Sequence, residues 1–362
     1  MTLPTLPASL ELVARNTPLI DVRAPVEFAQ GSLPGAVNLP LMDDEERRQV
    51  GIAYKQQGQQ AAIALGERLV SGAVKQSRVL AWQAHLARYP DALIYCYRGG
   101  LRSQISQQWL AEAGLLQPRI EGGWKALRHK LCQRIDEAAH QPLLVVSGLT
   151  GCAKTPLINQ LPNGIDLEAC AQHKGSAFGR QPEEPATQID FEHALAQRLI
   201  GQPGKLVMED ESRQIGNANI PLPLWQALQQ APRIRIEMPL DWRLDQLRRD
   251  YIEALERGYT ARFGPDEGRQ RMQRQLASAL ERLAKRLGHA RLQRLQRLQA
   301  MAFRAHEAGD VQAHEAWLAP LLTEYYDPLY RYHLEKQQSH RPPELHVGDW
   351  ESCLAAARQW SA

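Results

Sequence analysis

The chain has 362 residues, 44% of them hydrophobic, with 43 Lys and Arg against 40 Asp and Glu for a formal net charge of +3. That length suits two domains with their own cores, and the ordinary apolar share argues against disorder. Five cysteines at scattered spacings, none in a CxxC pair, exclude a disulfide framework and a cysteine zinc site. No basic segment leads into an apolar core near Met1, and no apolar run approaches membrane-spanning length. The expectation is a cytoplasmic protein with no membrane partner.

In chain order, Leu19-Ile20-Asp21-Val22-Arg23 reads as a short strand ending in charge, and Glu27-Phe28 as a helical turn after Pro25. Glycine and proline between Gly31 and Gly35 set a turn into a strand at Ala36-Val37-Asn38. Residues 43–57 predict a polar helix with the acidic first turn that the helix dipole favours. Residues 61–69 and 77–89 predict two more helices. Ala92-Leu93-Ile94-Tyr95 then reads as a buried strand, residues 104–113 as a helix, and Arg119-Ile120-Glu121-Gly122-Gly123-Trp124 follows. Strands alternating with helices indicate an α/β domain with a mostly parallel sheet, here assigned to residues 1–130.

Between that buried strand and its helix lies Cys96-Tyr97-Arg98-Gly99-Gly100-Leu101-Arg102-Ser103. In parallel sheets reactive groups sit at the carboxyl ends of strands, where Cys96 falls. Amides of the turn and of the helix N-terminus point into such a loop and form an anion cradle. With Arg98 and Arg102 adding positive charge, they are expected to lower the Cys96 pKa and favour the thiolate, the form that attacks or carries a chalcogen. The bland alternative is a buried structural cysteine beside glycines; the loop around it favours the functional reading.

Asp21-Val22-Arg23, Glu27-Phe28, Gly31-x-Leu33-Pro34-Gly35-Ala36-x-Asn38, the cysteine loop and Glu121-Gly122-Gly123 together resemble a rhodanese domain. In that family the loop cysteine carries a persulfide or related chalcogen adduct. The common sulfurtransferase loop has four residues between cysteine and closing arginine; here five lie between Cys96 and Arg102. The longer loop resembles that of rhodanese-fold phosphatases, which implies room for a tetrahedral anion and a phosphate-bearing donor.

Residues 131–141 read as a linker helix and 142–362 as a P-loop NTPase-like α/β domain. Leu143-Leu144-Val145-Val146-Ser147 is a buried strand running into Gly148-Leu149-Thr150-Gly151-Cys152-Ala153-Lys154-Thr155, with a helix from about Pro156. Strand, glycine-bearing loop, Lys-Thr and helix make a phosphate cradle. Gly148, Thr150, Gly151, Cys152, Ala153, Lys154 and Thr155 are the candidate diphosphate-binding residues, and Thr155 is placed for Mg2+ if the reaction uses one. No tightly bound cofactor or structural metal is expected. Ala153 stands where the motif has glycine, so strain in the turn or crowding of the phosphate is expected. Pro156 fits a first helical turn, where its missing N–H is not needed.

A second strand, Lys205-Leu206-Val207-Met208, ends in Glu209-Asp210-Glu211. Glu209 or Asp210 either coordinates Mg2+ or solvates a strand end. Lys174, Ser176, Phe178 and Arg180 in the intervening loop are candidates for holding phosphate or a stacked base, against a plain surface turn. Arg213 either faces the site or neutralises its acidic neighbours. Arg233-Ile234-Arg235-Ile236-Glu237 is a third strand, residues 240–336 a helical region, Leu345-His346-Val347 a last strand and residues 349–360 a closing helix.

Met272, Leu276, Leu280, Leu283 and Leu287 mark one apolar helical stripe, which Gly288 ends, and Leu292, Leu295 and Leu298 continue on the next helix. From Arg262 to Arg304 there are eleven Lys and Arg against three Asp and Glu. A solvated face is the default reading of such a run. The run is nearly one-signed and its repulsion is not expected to be offset by i,i+4 partners, which points to a polyanion on Arg271, Arg274, Lys285, Arg286, Arg294 and Arg297.

A rhodanese domain followed by this P-loop, with His173-Lys174-Gly175-Ser176-Ala177-Phe178-Gly179, Glu209-Asp210-Glu211 and Ser212-Arg213-x-Ile215-Gly216, closely resembles the tRNA 2-selenouridine synthase family over nearly the whole chain. The resemblance implies geranylation of 2-thiouridine at wobble position 34 of the tRNAs for lysine, glutamate and glutamine by geranyl diphosphate. Replacement of the S-geranyl group by selenium from selenophosphate would follow. It implies selenium carried on Cys96, phosphate released to Arg98 and Arg102, the prenyl diphosphate on the P-loop, and a selenophosphate-producing enzyme upstream. Two other readings stand beside it: a nucleotide-hydrolysing P-loop kinase or regulator with a rhodanese sensor domain, and a non-enzymatic RNA-binding module.

Overall fold

A computed structural model describes residues 3–337 and 342–362. The chain forms two compact units, one built from the chain up to Ile135 plus Thr187–Gly201, the other from Asp136–Ala186 and from Gln202 onward. These limits differ from the expected 1–130, 131–141 and 142–362. One helix, Gly123–Ala138, runs across the expected boundary, and a segment expected in the second domain belongs to the first. The cause lies in helix Gln188–Leu199. The Ser32 amide donates to Asp190 Oδ1 at 2.9 Å, Arg128 pairs with Glu192 at 2.5 Å, and Ile189 fills the space a side chain at Gly31 would need.

In the first unit β1 (Thr5–Leu6), β2 (Leu19–Asp21), β3 (Ala36–Asn38), β4 (Leu93–Tyr95) and β5 (Arg119–Ile120) form one parallel sheet in the order β1-β5-β4-β2-β3. The central strand β4 is buried throughout, as a parallel strand covered on both faces must be. Ile20, Ile94, Trp82 and Leu110 form the core beside it. Asp43 caps helix Asp44–Gln57 reciprocally with Glu46, which satisfies two otherwise orphaned amides. The helix expected over 104–113 begins earlier, at Leu101, so Arg102 and Ser103 lie in its first turn.

The second unit repeats the plan. β6 (Leu143–Gly148), β7 (Gly164–Ile165), β8 (Leu206–Glu209), β11 (Arg233–Ile236) and β12 (Glu344–Gly348) pair in parallel as β12-β11-β6-β8-β7. β9 (Gln214–Ile215) and β10 (Ala218–Asn219) make a small antiparallel hairpin. The predicted helical region is present, with Met272, Leu276, Leu280, Leu287 and Leu295 buried along the expected stripes and Gly288 between helices. Two stretches inside it, Arg249–Glu253 and Leu322–Tyr326, take the wider π-helical turn. The α/β class with two parallel sheets is the one read from sequence. No described helix is long and apolar enough to cross a membrane.

Candidate functional site

Cys96 follows β4, the middle strand of its sheet, and its side chain is buried at 3% exposure. Its loop is pinned by backbone bonds from Trp124 N–H to Cys96 O at 2.9 Å and from Lys125 N–H to Tyr97 O at 3.0 Å. Glycine is required on both sides of that contact. Gly99 and Gly123 adopt φ of +65° and +56°, and any side chain at Gly123 would collide with the Cys96 carbonyl. The Glu121-Gly122-Gly123 motif thus shapes the loop from outside it.

The polar neighbours of Cys96 Sγ are Ser103 Oγ at 3.2 Å and Gly100 O at 3.8 Å. Among the described residues, the first amide of the loop to find a backbone acceptor is that of Gln104, on Gly100 O at 3.1 Å. Amides at a helix start have no acceptor inside their own helix, which suits an anion. The two arginines diverge. Arg98 is exposed, 5.8 Å from the centre of the Tyr97 ring. Arg102 instead binds Glu27 through both terminal nitrogens, at 2.5 and 3.2 Å. This corrects in part the expectation that both arginines add positive charge to the loop: Glu27, held also by Arg47 at 3.1 Å, pairs with Arg102. Burial pushes the Glu27 carboxyl up, but the Arg102 hydrogen bond and the Arg102 and Arg47 charges outweigh it and hold the carboxyl below its usual range. Glu27 and Ser103 escaped selection in the sequence. The only signal for Glu27 was its place in the Glu27-Phe28 motif.

In the second unit the P-loop leaves the end of β6 and passes into a five-residue helix, Lys154–Ile158. A helix that short contributes little dipole, so charge in the cradle rests on Lys154. Ala153 sits at φ +54°, ψ +47°, the left-handed region that favours glycine, which is the strain expected from sequence. Trp350 Nε1 donates to the Ala153 carbonyl at 3.0 Å and holds the turn. Arg243 supports the loop from behind. It donates to Thr150 O at 2.9 Å and pairs with buried Asp327 at 2.5 and 2.9 Å.

The loop borders a cavity of about 370 Å3 that gathers Gly148, Thr150, Gly151, Ala153, Lys154 and Thr155. Lys174, Ser176, Asp210 and Glu211 line it too, together with Glu168, Tyr251, Tyr326 and Tyr330, which sequence reasoning missed. Other expected members lie elsewhere. Cys152 is buried at 1% beneath the loop, and burial raises its thiol pKa. Glu209 is buried at 1% and is not part of the cavity lining; its Oε2 accepts from Leu167 N–H at 3.2 Å, and its Oε1 has no hydrogen-bond partner among the described residues. Arg213 is exposed, outside the cavity lining. Phe178 is not a free stacking platform: it is 4% exposed and packs on Trp317 at 5.6 Å between ring centres.

Acids surround the lysine. Burial, then the charge of Glu211, pushes the Glu168 carboxyl up to about 8, partly offset by Lys154. Burial likewise raises Glu211, offset by Lys154, and raises Glu209, with Glu168 adding to the effect. Burial pushes the Lys154 ammonium down, but Glu211, Tyr330 and Glu168 outweigh it and the net shift is upward. Lys154 therefore stays charged while Glu168 is largely protonated at neutral pH, which lessens repulsion of an incoming phosphate. Thr155 Oγ1 donates to Glu168 Oε2 at 3.3 Å, and among the described residues no three Asp, Glu, His or Cys converge as a metal site.

The basic helices divide. Arg271 and Arg274 line a groove of about 620 Å3 with Arg180, Arg262 and Arg282. Lys285 and Arg297 are exposed, Arg286 donates to Tyr325 Oη at 3.3 Å, and Arg294 pairs with Glu324. The expectation of unpartnered charge is corrected in part. Arg271 pairs with Glu267 one turn away at 2.6 Å, and Arg269 with Glu256 at 2.7 Å. Glu256 and Glu324 come from other helices, beyond the reach of i,i+4 counting.

A family model described as the tRNA 2-selenouridine synthase AAA domain matches residues 141–362, and one described as a rhodanese-like domain matches residues 8–130. The chain is 63% identical to a tRNA 2-selenouridine synthase of Chromohalobacter salexigens, across 100% of this chain and 99% of the relative. It is 47% identical to that of Serratia proteamaculans, across 89% and 88%, and 45% identical to that of Photobacterium profundum, across 90% and 91%.

Proposed function

The chain belongs to the tRNA 2-selenouridine synthase family, and from that premise we propose that it is a tRNA-modifying transferase that converts wobble 2-thiouridine to 2-selenouridine in two steps at two anion sites. The P-loop cavity binds the diphosphate of geranyl diphosphate. The thiouridine sulfur attacks the first prenyl carbon, the C–O bond breaks, and diphosphate leaves. Lys154 and Lys174 face that leaving group. No γ-phosphate is cleaved, so Ala153 in the turn and Glu209 outside the cavity lining are no obstacle.

Alkylation converts a poor leaving group into a better one. Cys96 then attacks the phosphorus of selenophosphate, the P–Se bond breaks and selenide is freed beside the loop. The selenide attacks C2, the C–S bond breaks and geranylthiol leaves, and water finally releases phosphate from the Cys96 sulfur. Arg98 and the loop amides receive the tetrahedral phosphate, while Arg102 acts through Glu27 to hold the loop. Because Cys96 is 3% exposed, transfer requires the 97–101 loop to part. The partners are the tRNAs for lysine, glutamate and glutamine, bound through the arginine groove by Arg271 and Arg274, and a selenophosphate-producing enzyme upstream. Mg2+, if used, would meet Thr155 and Asp210.

The observation that carries the reading is a buried cysteine after the central strand of one parallel sheet, at the turn into a helix, in a chain that also holds a lysine-bearing P-loop cavity. Nucleoside mass spectrometry of thiolated tRNA incubated with each donor separately and with both tests it. S-geranyl-thiouridine is expected with geranyl diphosphate alone, selenouridine only with both. Selenouridine formed as fast without geranyl diphosphate contradicts the two-step order, and steady ATP or GTP hydrolysis without tRNA favours a nucleotide enzyme.

A further inference from the structure

The cavity at the P-loop adjoins a second, narrower recess. Thr150, Ser176, Leu247, Tyr251 and Tyr326 line both. Behind them the recess is walled by Phe178, Trp317, Leu318, Leu321 and Leu322, and the surface it exposes is apolar. Its free space is about 20 Å3, against about 370 Å3 for the cavity.

Two of the shared residues come from the two π-helical stretches, Tyr251 from Arg249–Glu253 and Tyr326 from Leu322–Tyr326. A π turn inserts a residue and re-aims its neighbours, and such turns concentrate at functional sites. Here both place a tyrosine between a polar cavity and an apolar recess. Tyr251 is fixed there by Ser176 Oγ at 3.2 Å and by donating to Lys174 O at 3.3 Å.

The chemistry of the walls selects the occupant. A ribose or nucleobase pushed into the recess would lose its hydrogen bonds to water and meet Leu318, Leu321, Leu322 and Trp317, which return none. A hydrocarbon loses nothing polar and gains by burial. We propose that the recess takes the far end of the hydrocarbon chain of an alkyl diphosphate whose diphosphate rests on the P-loop. The proposal rests on the prenyl-donor reading above and adds to it the location of the chain. At about 20 Å3 the recess accepts about one small group. The chain's middle therefore runs along Leu247 and Tyr251 in the larger cavity, and chain length becomes a selected property.

Calorimetric titration of the full chain with inorganic diphosphate, geranyl diphosphate and farnesyl diphosphate tests this, alongside S-geranyl-tRNA formation. Geranyl diphosphate should bind at least about tenfold more tightly than inorganic diphosphate, since each buried methylene contributes. Leu318→Phe, which fills the recess, should erase most of that advantage with inorganic diphosphate affinity kept. Leu318→Ala, which opens it and retains a fold by thermal melting, should shift preference toward the farnesyl donor. If S-geranyl-tRNA forms and both variants keep the wild-type chain preference, the recess assignment is overturned and the prenyl-donor reading stands. If geranyl and inorganic diphosphate bind alike and no S-geranyl-tRNA forms, both are overturned.

Discussion

Cys96 and Lys154 occupy equivalent places: each follows the third strand of a five-stranded parallel sheet, β4 in one unit and β6 in the other. Their surroundings differ in sign and access. The sulfur is buried, and the arginine nearest in sequence to the helix start is bound to Glu27. The lysine opens on a cavity, among carboxyls whose protonation burial favours. Topology sets where a reactive group stands, at the carboxyl end of a central strand. The local ion pairs then decide whether it is shielded or offered. For the proposed reaction, a shielded sulfur would hold freed selenide away from bulk water, and an offered ammonium would suit a soluble diphosphate.

The largest break in this contrast should come from the P-loop's support. Arg243→Ala leaves Asp327 buried and unpaired and should cost the second unit about 3–5 kcal/mol, read by urea unfolding followed by Trp fluorescence. The first unit should melt as before; loss of both together would mean the two do not unfold independently. Lys154→Ala removes the charge that the cavity is built around. A charge-assisted contact of about 1.5–3 kcal/mol predicts a roughly tenfold to hundredfold weaker diphosphate affinity. An unchanged affinity would move the diphosphate elsewhere.

Residues adjacent in sequence were read well, and those brought together by folding were not. β4, the cysteine loop, β6 and the Lys-Thr turn follow from short apolar runs and glycine positions, and Ala153 announced its strained turn. Glu27, Glu168, Arg243 and Asp327 gave no such signal. Arg243 meets Asp327 across 84 residues and Arg102 meets Glu27 across 75. Phe178 shows the opposite failure: its polar, glycine-bearing neighbours suggested an open loop, yet the ring is a core residue of the helical region. An isolated aromatic carries no periodicity from which burial can be read.

Smaller effects sharpen the contrast. Glu168, raised to about 8 in the folded protein, binds a proton more tightly there than when unfolded. Its contribution to stability is full below the ordinary glutamate range and is lost as pH rises through about 8. Diphosphate affinity should fall over the upper part of the same window as the carboxyl gains charge. Glu168→Gln should flatten both profiles, and profiles unchanged by it would remove Glu168 from the cavity's charge balance. Ala153→Gly relieves the left-handed strain and should raise thermal stability by up to about 1 kcal/mol; a loss would show that the methyl's packing outweighs the turn.

The central claim is that sulfur alkylation and selenium delivery use different residues. It is tested most directly by Cys96→Ser, supplied with thiolated tRNA, geranyl diphosphate and selenophosphate, with the modified nucleosides counted by mass spectrometry. The account predicts S-geranyl-thiouridine accumulating at the wild-type rate and no selenouridine. Selenouridine at the wild-type level, or loss of the geranyl product as well, would contradict it.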